Sequence, residues 1–262
     1  MYAWRARIGL VKPTHRGKSF APWYKTAPDG VEIVPTFVGF RSGTRKGFEG
    51  GPDRAEELVR QLAEVGCQAA VVSGSPPFLL HESTFERDFR ARLEAELGIL
   101  VTTPNEPHAL ALRAMGAKRV AMATYYTEHL NTAFKNHFSV LGIDAIPLDG
   151  YQKRPEGSDQ ELYTTPLMTL DSASYLDVYN HVRRELRQLD EPVDAVYING
   201  GGWDAARAVE LLEDDLGIPV VWAIAADIWM IYQELGIKLS APGYGQLLRD
   251  NPAAPARLWQ LE

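Results

Sequence analysis

The sequence predicts an α/β protein made of two doubly wound parallel sheets, and the clearest evidence is a βαβ unit in residues 195–236. A short apolar run at 195–198 stops at Asn199 and three glycines, and a helical stripe and a second apolar run at 220–223 follow. Glycine lets the backbone take left-handed angles and present bare N–H groups. Because open α/β sheets bind ligands at the carboxyl ends of their strands, we expect a site at residues 200–202.

An internal repeat is the second observation. The segment LEAELGI at 93–99 recurs as LEDDLGI at 212–218, and each copy leads into a strand and then a helix. Upstream of each copy an apolar strand closes in a glycine turn, at 73–75 in one half and 199–201 in the other. The repeat predicts two pseudo-symmetric doubly wound parallel-sheet (flavodoxin-like) halves, with the site in the cleft between them.

The expected boundaries follow from this repeat. The first half covers residues 1–116, the second covers 117–223, and the tail 224–262 is expected to pack back on the first half. Strands are predicted at 7–11, 31–40 and 119–124, and helices at 53–65, 128–141 and 173–189, the last capped by Asp171 or Ser172. Pro76 and Pro77 are expected to delay helix formation, which makes 79–89 an extra loop over the site.

Composition limits the function classes. The chain has 262 residues, 45% hydrophobic and 23% charged, which is typical of a soluble globular protein with an ample core. Its formal net charge of -7 argues against nucleic acid or an anionic membrane as a general partner. No apolar run approaches a membrane span, and residues 1–10 contain no secretory apolar core, so we expect a cytoplasmic protein. The sequence does not decide whether the protein forms a homo-oligomer.

Cysteine and histidine usage predicts that no metal is bound. Cys67 is the only cysteine, so an internal disulfide and a thiolate cluster are excluded. It precedes a predicted strand, which places it in the core and away from the ligand-binding end. The six histidines show none of the spacings typical of metal sites.

Several short segments in a characteristic order cover nearly the whole chain: Ile8-Gly9 with Pro13, the turn 73–75, residues 119–126, the turn at Gly200 and Gly201, and the segments 216–221 and 242–245. In these segments the sequence resembles the aspartate/glutamate racemase superfamily and, within it, the branch of arylmalonate decarboxylase and maleate cis-trans isomerase.

The resemblance implies a small carboxylate substrate, no cofactor, and cysteines that this chain lacks. Racemases and isomerases of the superfamily carry one cysteine in each strand-end turn, and arylmalonate decarboxylase keeps only the one in the second half. The matching positions here are Ser73 or Gly74 in the first turn and Gly200 in the second. Thiolate racemisation and thiol addition to a double bond therefore lose their reactive groups. A thiol restored at Gly200 is expected to supply a proton donor, provided that the backbone angles of this turn are not restricted to glycine and that Trp203 leaves the space free.

The candidate residues follow from the same resemblance. The carboxylate-holding donors are Ser73, Gly74, Ser75 and Tyr126. The missing proton donor is expected to be His15, Tyr125, Tyr126 or a bound water, and His15 has the best intrinsic match to neutral pH. An ordinary surface role for His15, and a packed or surface role for Tyr126, are the alternatives. Further candidates for substrate binding lie beside these residues: Pro13, Thr14, Thr127, Gly200, Gly201 and Trp203.

Three functions remain open at this point. The first is a cofactor-free lyase of the arylmalonate decarboxylase type, which acts on a small carboxylic acid through an enolate or enediolate. The second is a cis-trans isomerase or racemase with a base other than cysteine. The third is a catalytically silent protein that binds carboxylates.

Overall fold

The computed structural model describes residues 3–152 and 161–256. The sequence also predicts a polar loop at 151–163, and part of that segment lies outside the described residues. Within the two described ranges, eight strands form two four-stranded sheets. The first sheet consists of β1 (Ala6–Lys12), β2 (Val31–Phe37), β3 (Ala69–Val72) and β4 (Leu100–Thr102), and the second of β5 (Arg119–Ala123), β6 (Asp144–Pro147), β7 (Ala195–Ile198) and β8 (Val220–Trp222).

Both sheets are parallel and share one topology. The strand order is β2-β1-β3-β4 in the first and β6-β5-β7-β8 in the second, so the predicted pair of pseudo-symmetric doubly wound halves is confirmed. The central strands β3 and β7 are buried at every residue, which explains their unbroken apolar sequences. Pro35 interrupts β2, and it is tolerated because β2 is an edge strand.

The helices cover the sheets and connect the strands. They are α1 (Gly17–Thr26), α2 (Arg45–Phe48), α3 (Gly51–Glu64), α4 (Ser75–Leu79), α5 (Phe85–Leu97), α6 (Glu106–Ala114), α7 (Glu128–Val140), α8 (Tyr175–Leu186), α9 (Ala206–Leu216), α10 (Ala223–Glu234) and α11 (Gln246–Asp250), with a 3-10 helix at Leu167–Ser172. No helix in the described ranges has the length and apolar character needed to cross a bilayer.

Two local predictions were wrong. Pro76 and Pro77 do not delay the helix but lie in the first turn of α4, where a missing N–H breaks no helical hydrogen bond. The cap of α8 is Ser174 rather than Asp171 or Ser172. Its side chain accepts from the backbone N–H of Asp177, whose carboxylate accepts from the Ser174 N–H in return.

The register of the first sheet places polar side chains together at its carboxyl edge. Val11 of β1 pairs with Val72 of β3, and the Ser73 backbone N–H donates to the Val11 carbonyl at 3.0 Å. Lys12 and Ser73, the residues that follow this pair, are therefore neighbours. β5 and β7 bring Tyr125 and Asn199 to the corresponding edge of the second sheet.

The residues after β8 contact both halves. Helix α10 packs on α6, β3 and β4 of the first half, whereas α11 packs on α10 and β8. The backbone N–H groups of Gly243 and Gln246 donate to Glu210 and Glu213 of α9, each at 2.8 Å. The described residues beyond α10 thus lie against the second half, whereas α10 itself lies against the first. The division into residues 1–116 and 117–223 stays a prediction.

Candidate active site

A cavity lies between the carboxyl edges of the two sheets. Its wall combines both glycine turns with one residue of α6 and part of α10: Lys12, Pro13, Ser19, Phe40, Phe48, Ser73, Gly74, Ser75, Pro76, Pro77, His108, Tyr125, Tyr126, Tyr163, Asn199, Gly200, Gly201, Ala223, Ile224 and Asp227. The free volume of the cavity is about 50 Å³.

Two basic residues at the start of α1 contact residues 171–173, which precede α8. The Arg16 guanidinium lies 2.8 Å from the Asp171 carboxylate, and Lys18 Nζ donates to the carbonyls of Asp171 and Ala173 at 2.6 and 2.8 Å. Arg16 and Lys18 follow β1 directly in the chain, so these contacts connect the mouth of the first sheet to residues 171–173.

Asn199 fixes the two hydroxyl groups of the predicted carboxylate cradle. Tyr126 Oη donates to Asn199 Oδ1 at 3.1 Å, and Asn199 Nδ2 donates to Ser75 Oγ at 3.1 Å. All three side chains are buried. The Ser75 hydroxyl donates to no other described residue, so its hydrogen is available to a ligand in the cavity. Burial raises the pKa of Tyr126 well above its usual value, which keeps its hydroxyl protonated and able to donate.

A second set of buried polar groups surrounds Ser73 of the first turn. Lys12 Nζ donates to Ser73 Oγ at 3.1 Å, and Ser73 Oγ donates to Asp227 Oδ2 at 2.8 Å. Asp227 Oδ1 lies 3.2 Å from His108 Nε2, and His108 Nδ1 lies 2.7 Å from Tyr197 Oη.

The hydrogen bonds of this set have a consistent direction. Asn199 Nδ2 donates to Tyr197 Oη at 2.8 Å, so the Tyr197 hydrogen is free to go to His108 Nδ1. His108 Nε2 then carries the hydrogen that it donates to Asp227. The Asp227 carboxylate therefore accepts a hydrogen bond on each of its oxygen atoms, from Ser73 and from His108. The ammonium group of Lys12 balances its negative charge.

Lys12 is the most unusual residue of the cavity. Its side chain is 1% exposed although it ends in an amine. Burial lowers the pKa of Lys12 to about 8, and the charge of Asp227 opposes that shift. The sequence signal was a lysine directly at the end of the first strand. The sequence pattern predicts that the first strand ends at residue 11, and it does not identify Lys12 as a candidate.

Tyr125 occupies the second glycine turn. Gly200 has φ of 97°, and a Cβ placed there would lie 2.4 Å from Tyr125 Oη. Tyr125 Oη also accepts from the Gly202 N–H at 3.3 Å, and burial raises its pKa to about 12. The residue expected to fill this space, Trp203, is instead buried outside the cavity wall and donates from Nε1 to the Asn199 carbonyl at 3.0 Å.

The other predicted residues divide into two groups. Pro13 and Gly201 line the cavity, together with the cradle residues. Thr14 and Thr127 do not, and Thr127 precedes α7, where its backbone N–H donates to Leu162. The structure does not bring His15 to the cavity either. It is exposed and stacks on Phe37, with ring centroids 4.2 Å apart.

Neither a thiol nor a metal cluster is found at this site. Cys67 is 2% exposed and precedes β3, whose other end carries Ser73, and burial raises the pKa of the thiol to about 11. Within residues 3–152 and 161–256, no group of three or more His, Cys, Asp or Glu side chains is arranged to hold a metal ion.

Comparisons with known proteins agree with the two-sheet fold. The family described as arylmalonate decarboxylase matches residues 8–248, so the chain belongs to that family. It is 24% identical over 250 residues to arylmalonate decarboxylase of Bordetella bronchiseptica, covering 93% of this chain and 97% of the relative. It is 25% identical over 188 residues to maleate isomerase of Geobacillus stearothermophilus, covering 70% and 66%. The crystal structure of the maleate isomerase Iso from Pseudomonas putida S16 superposes with a TM-score of 0.80 at 16% identity, covering 94% of this chain and 99% of that one.

Proposed function

We propose that this protein is a cofactor-free lyase of the arylmalonate decarboxylase type that works without a thiol. Its substrate is a small malonate-like acid that loses CO2 through an enediolate held in the cleft. The observation that carries this proposal is the pair of hydroxyl groups, Ser75 and Tyr126, that Asn199 fixes at the cavity wall. Membership of a family that contains both decarboxylase and isomerase relatives supports it.

The cradle residues stabilise charge that develops during the reaction. One carboxylate of the substrate accepts from the hydroxyls of Ser75 and Tyr126, the latter turning from Asn199 to the ligand. When the bond to the second carboxyl carbon breaks, its electron pair stays on the α carbon and spreads into the retained carboxylate as an enediolate. Preorganised donors at such developing charge contribute roughly 3–4 kcal/mol each.

Apolar side chains of the wall, and the missing thiols, favour bond cleavage over isomerisation. Phe40, Phe48 and Ile224 offer no hydrogen bond to the departing carboxylate, so losing its charge as CO2 is favourable there. Thiol addition to a maleate double bond lacks its nucleophile because neither turn contains a cysteine. These two features support the lyase over the isomerase and the racemase.

A substrate screen tests the proposal. CO2 release is measured from 2-aryl-2-methylmalonates, fumarate formation from maleate, and racemisation from aspartate and glutamate. We expect turnover of arylmalonates and a loss of on the order of 100-fold in kcat for Ser75→Ala and for Tyr126→Phe. Ser139→Ala, an exposed hydroxyl on α7, is the matched control and keeps full activity. Turnover of maleate or amino acids alone, or binding of these acids without turnover, would overturn the lyase assignment.

A further inference from the structure

We propose that Lys12 is the catalytic acid of this cleft, and that it protonates the enediolate carbon from the side of the first half. This inference rests on the proposed function and names the proton donor that the missing thiols leave open. It also assigns the configuration of the product.

The position of the amine supports this role. Lys12 is one of the residues that line the cavity, and its Nζ lies 3.1 Å from Ser73 Oγ, in the turn where two-thiol relatives of the resembled superfamily carry their first cysteine. Its hydrogen bond to Ser73 uses one of three N–H groups, and the described residues accept no other hydrogen bond from it. A buried ammonium with unused hydrogens at a cavity wall is placed to donate to whatever occupies the cavity.

Desolvation makes the Lys12 amine more acidic, and the carboxylate of Asp227 opposes that effect. Asp227, itself 1% exposed, accepts from Ser73 and His108 and supplies the opposite charge. Desolvation makes the pKa of Lys12 about 8, which is near the pH at which a catalytic acid transfers a proton most effectively. His108, Tyr125, Tyr126 and Tyr163 are the other titratable groups of the wall.

The proton transfer balances without a further reactant. CO2 leaves without the electron pair of the broken bond, and that pair forms the new C–H bond with a proton from Lys12 Nζ. The electrons of the N–H bond stay on nitrogen, which becomes a neutral amine. Water that enters with the next substrate returns the proton.

The opposite wall has no acid of comparable strength. The second turn presents Gly200 with the ring of Tyr125 against it, and the pKa of the Tyr125 hydroxyl is about 12. Arylmalonate decarboxylases, in the resemblance stated above, carry their single thiol in this second turn. A donor in the first half reaches the other face of the planar enediolate, so the product has the opposite configuration.

The test uses 2-methyl-2-phenylmalonate, whose product is chiral. The wild-type protein and the Bordetella bronchiseptica enzyme are compared by chiral chromatography, and we expect products of opposite hand. Lys12→Met and Lys12→Arg are each expected to lose 100-fold or more in kcat. Methionine has no proton to donate, and arginine keeps the charge but does not release its proton. Lys12→Ala is expected to regain activity when ethylamine is added, and Lys118→Met, at an exposed lysine before β5, is the control.

The outcomes separate this inference from the function on which it rests. A product of the same hand as that of the Bordetella enzyme, or near wild-type turnover in Lys12→Met, overturns the role of Lys12 and leaves the lyase in place. Absence of CO2 release by the wild-type protein from every malonate overturns both. Circular dichroism and thermal unfolding show whether each variant is folded, and ethylamine rescue of Lys12→Ala supports the proposal independently of the Met and Arg variants.

Discussion

Replacing Asp227 with asparagine is expected to move the alkaline limb of the pH–rate profile to lower pH. Asp227 is connected to Lys12 through Ser73 by hydrogen bonds of 3.1 and 2.8 Å, so the two charges are at most about 6 Å apart. At an effective dielectric constant of about 20, this attraction amounts to about 3 kcal/mol, or about two pKa units. The pKa of Lys12, about 8 with Asp227 present, should fall to about 6 without it.

The assay is kcat for arylmalonate decarboxylation between pH 5 and pH 10. Because the ammonium form donates the proton, activity is lost as pH rises through the pKa of Lys12, near pH 8 in the wild type and near pH 6 in Asp227→Asn. Asp250→Asn, at an exposed carboxylate beside Arg249, should leave the midpoint unchanged. An unchanged midpoint in Asp227→Asn, or a move to higher pH, would refute the reasoning.

Two further predictions concern the second turn and the buried carboxyl group of Glu86. Gly200→Cys should lower the unfolding temperature, because a residue with a side chain at positive φ costs about 1–3 kcal/mol. It should also give no increase in CO2 release, because Tyr125 already fills the space that the new side chain needs. A variant that is as stable as the wild type and releases CO2 faster would contradict this prediction. Burial raises the pKa of Glu86 to about 8, so its folded form holds a proton that the unfolded chain releases above its ordinary pKa of 4.5. The free energy of unfolding, measured by urea titration, should therefore fall by up to about 5 kcal/mol between pH 4.5 and pH 8, and by less in Glu86→Gln. An equal fall in the two proteins would contradict the raised pKa of Glu86.

The fold was predictable because its evidence is local and repeated. The LEAELGI and LEDDLGI segments each precede a strand, and each half shows its central strand as an unbroken apolar run before a glycine turn. The residues that define a βαβ unit, its strands and the turn between strand and helix, lie within about thirty residues of one another. When one such unit is recognised, a repeat of its sequence therefore predicts a second unit with the same topology.

The polar network was not predictable in the same way, because its members come from separate elements. Lys12 ends β1, His108 lies in α6 and Asp227 in α10, and only the packing of α10 on α6 and β3 brings the three together. One signal was present. Asp227 is the only charged residue in the otherwise apolar run 223–232, and a buried charge needs a partner. Neither helical periodicity nor the spacing of motifs identifies that partner.

His15 shows the limit of choosing a donor by its ordinary pKa. Its match to neutral pH is intrinsic to imidazole, but its side chain stacks on Phe37 at the surface. Lys12, three residues earlier, has an ordinary pKa far from neutrality, and burial in the structure brings it to about 8.

The central claim is that the cleft releases CO2 without a thiol, and CO2 release from 2-methyl-2-phenylmalonate by the Cys67→Ala protein tests it most directly. The thiol of Cys67 is buried before β3, and burial raises its pKa to about 11, so neither this substitution nor treatment of the wild type with iodoacetamide should change the rate. Wild-type turnover that disappears in folded Cys67→Ala would contradict the account.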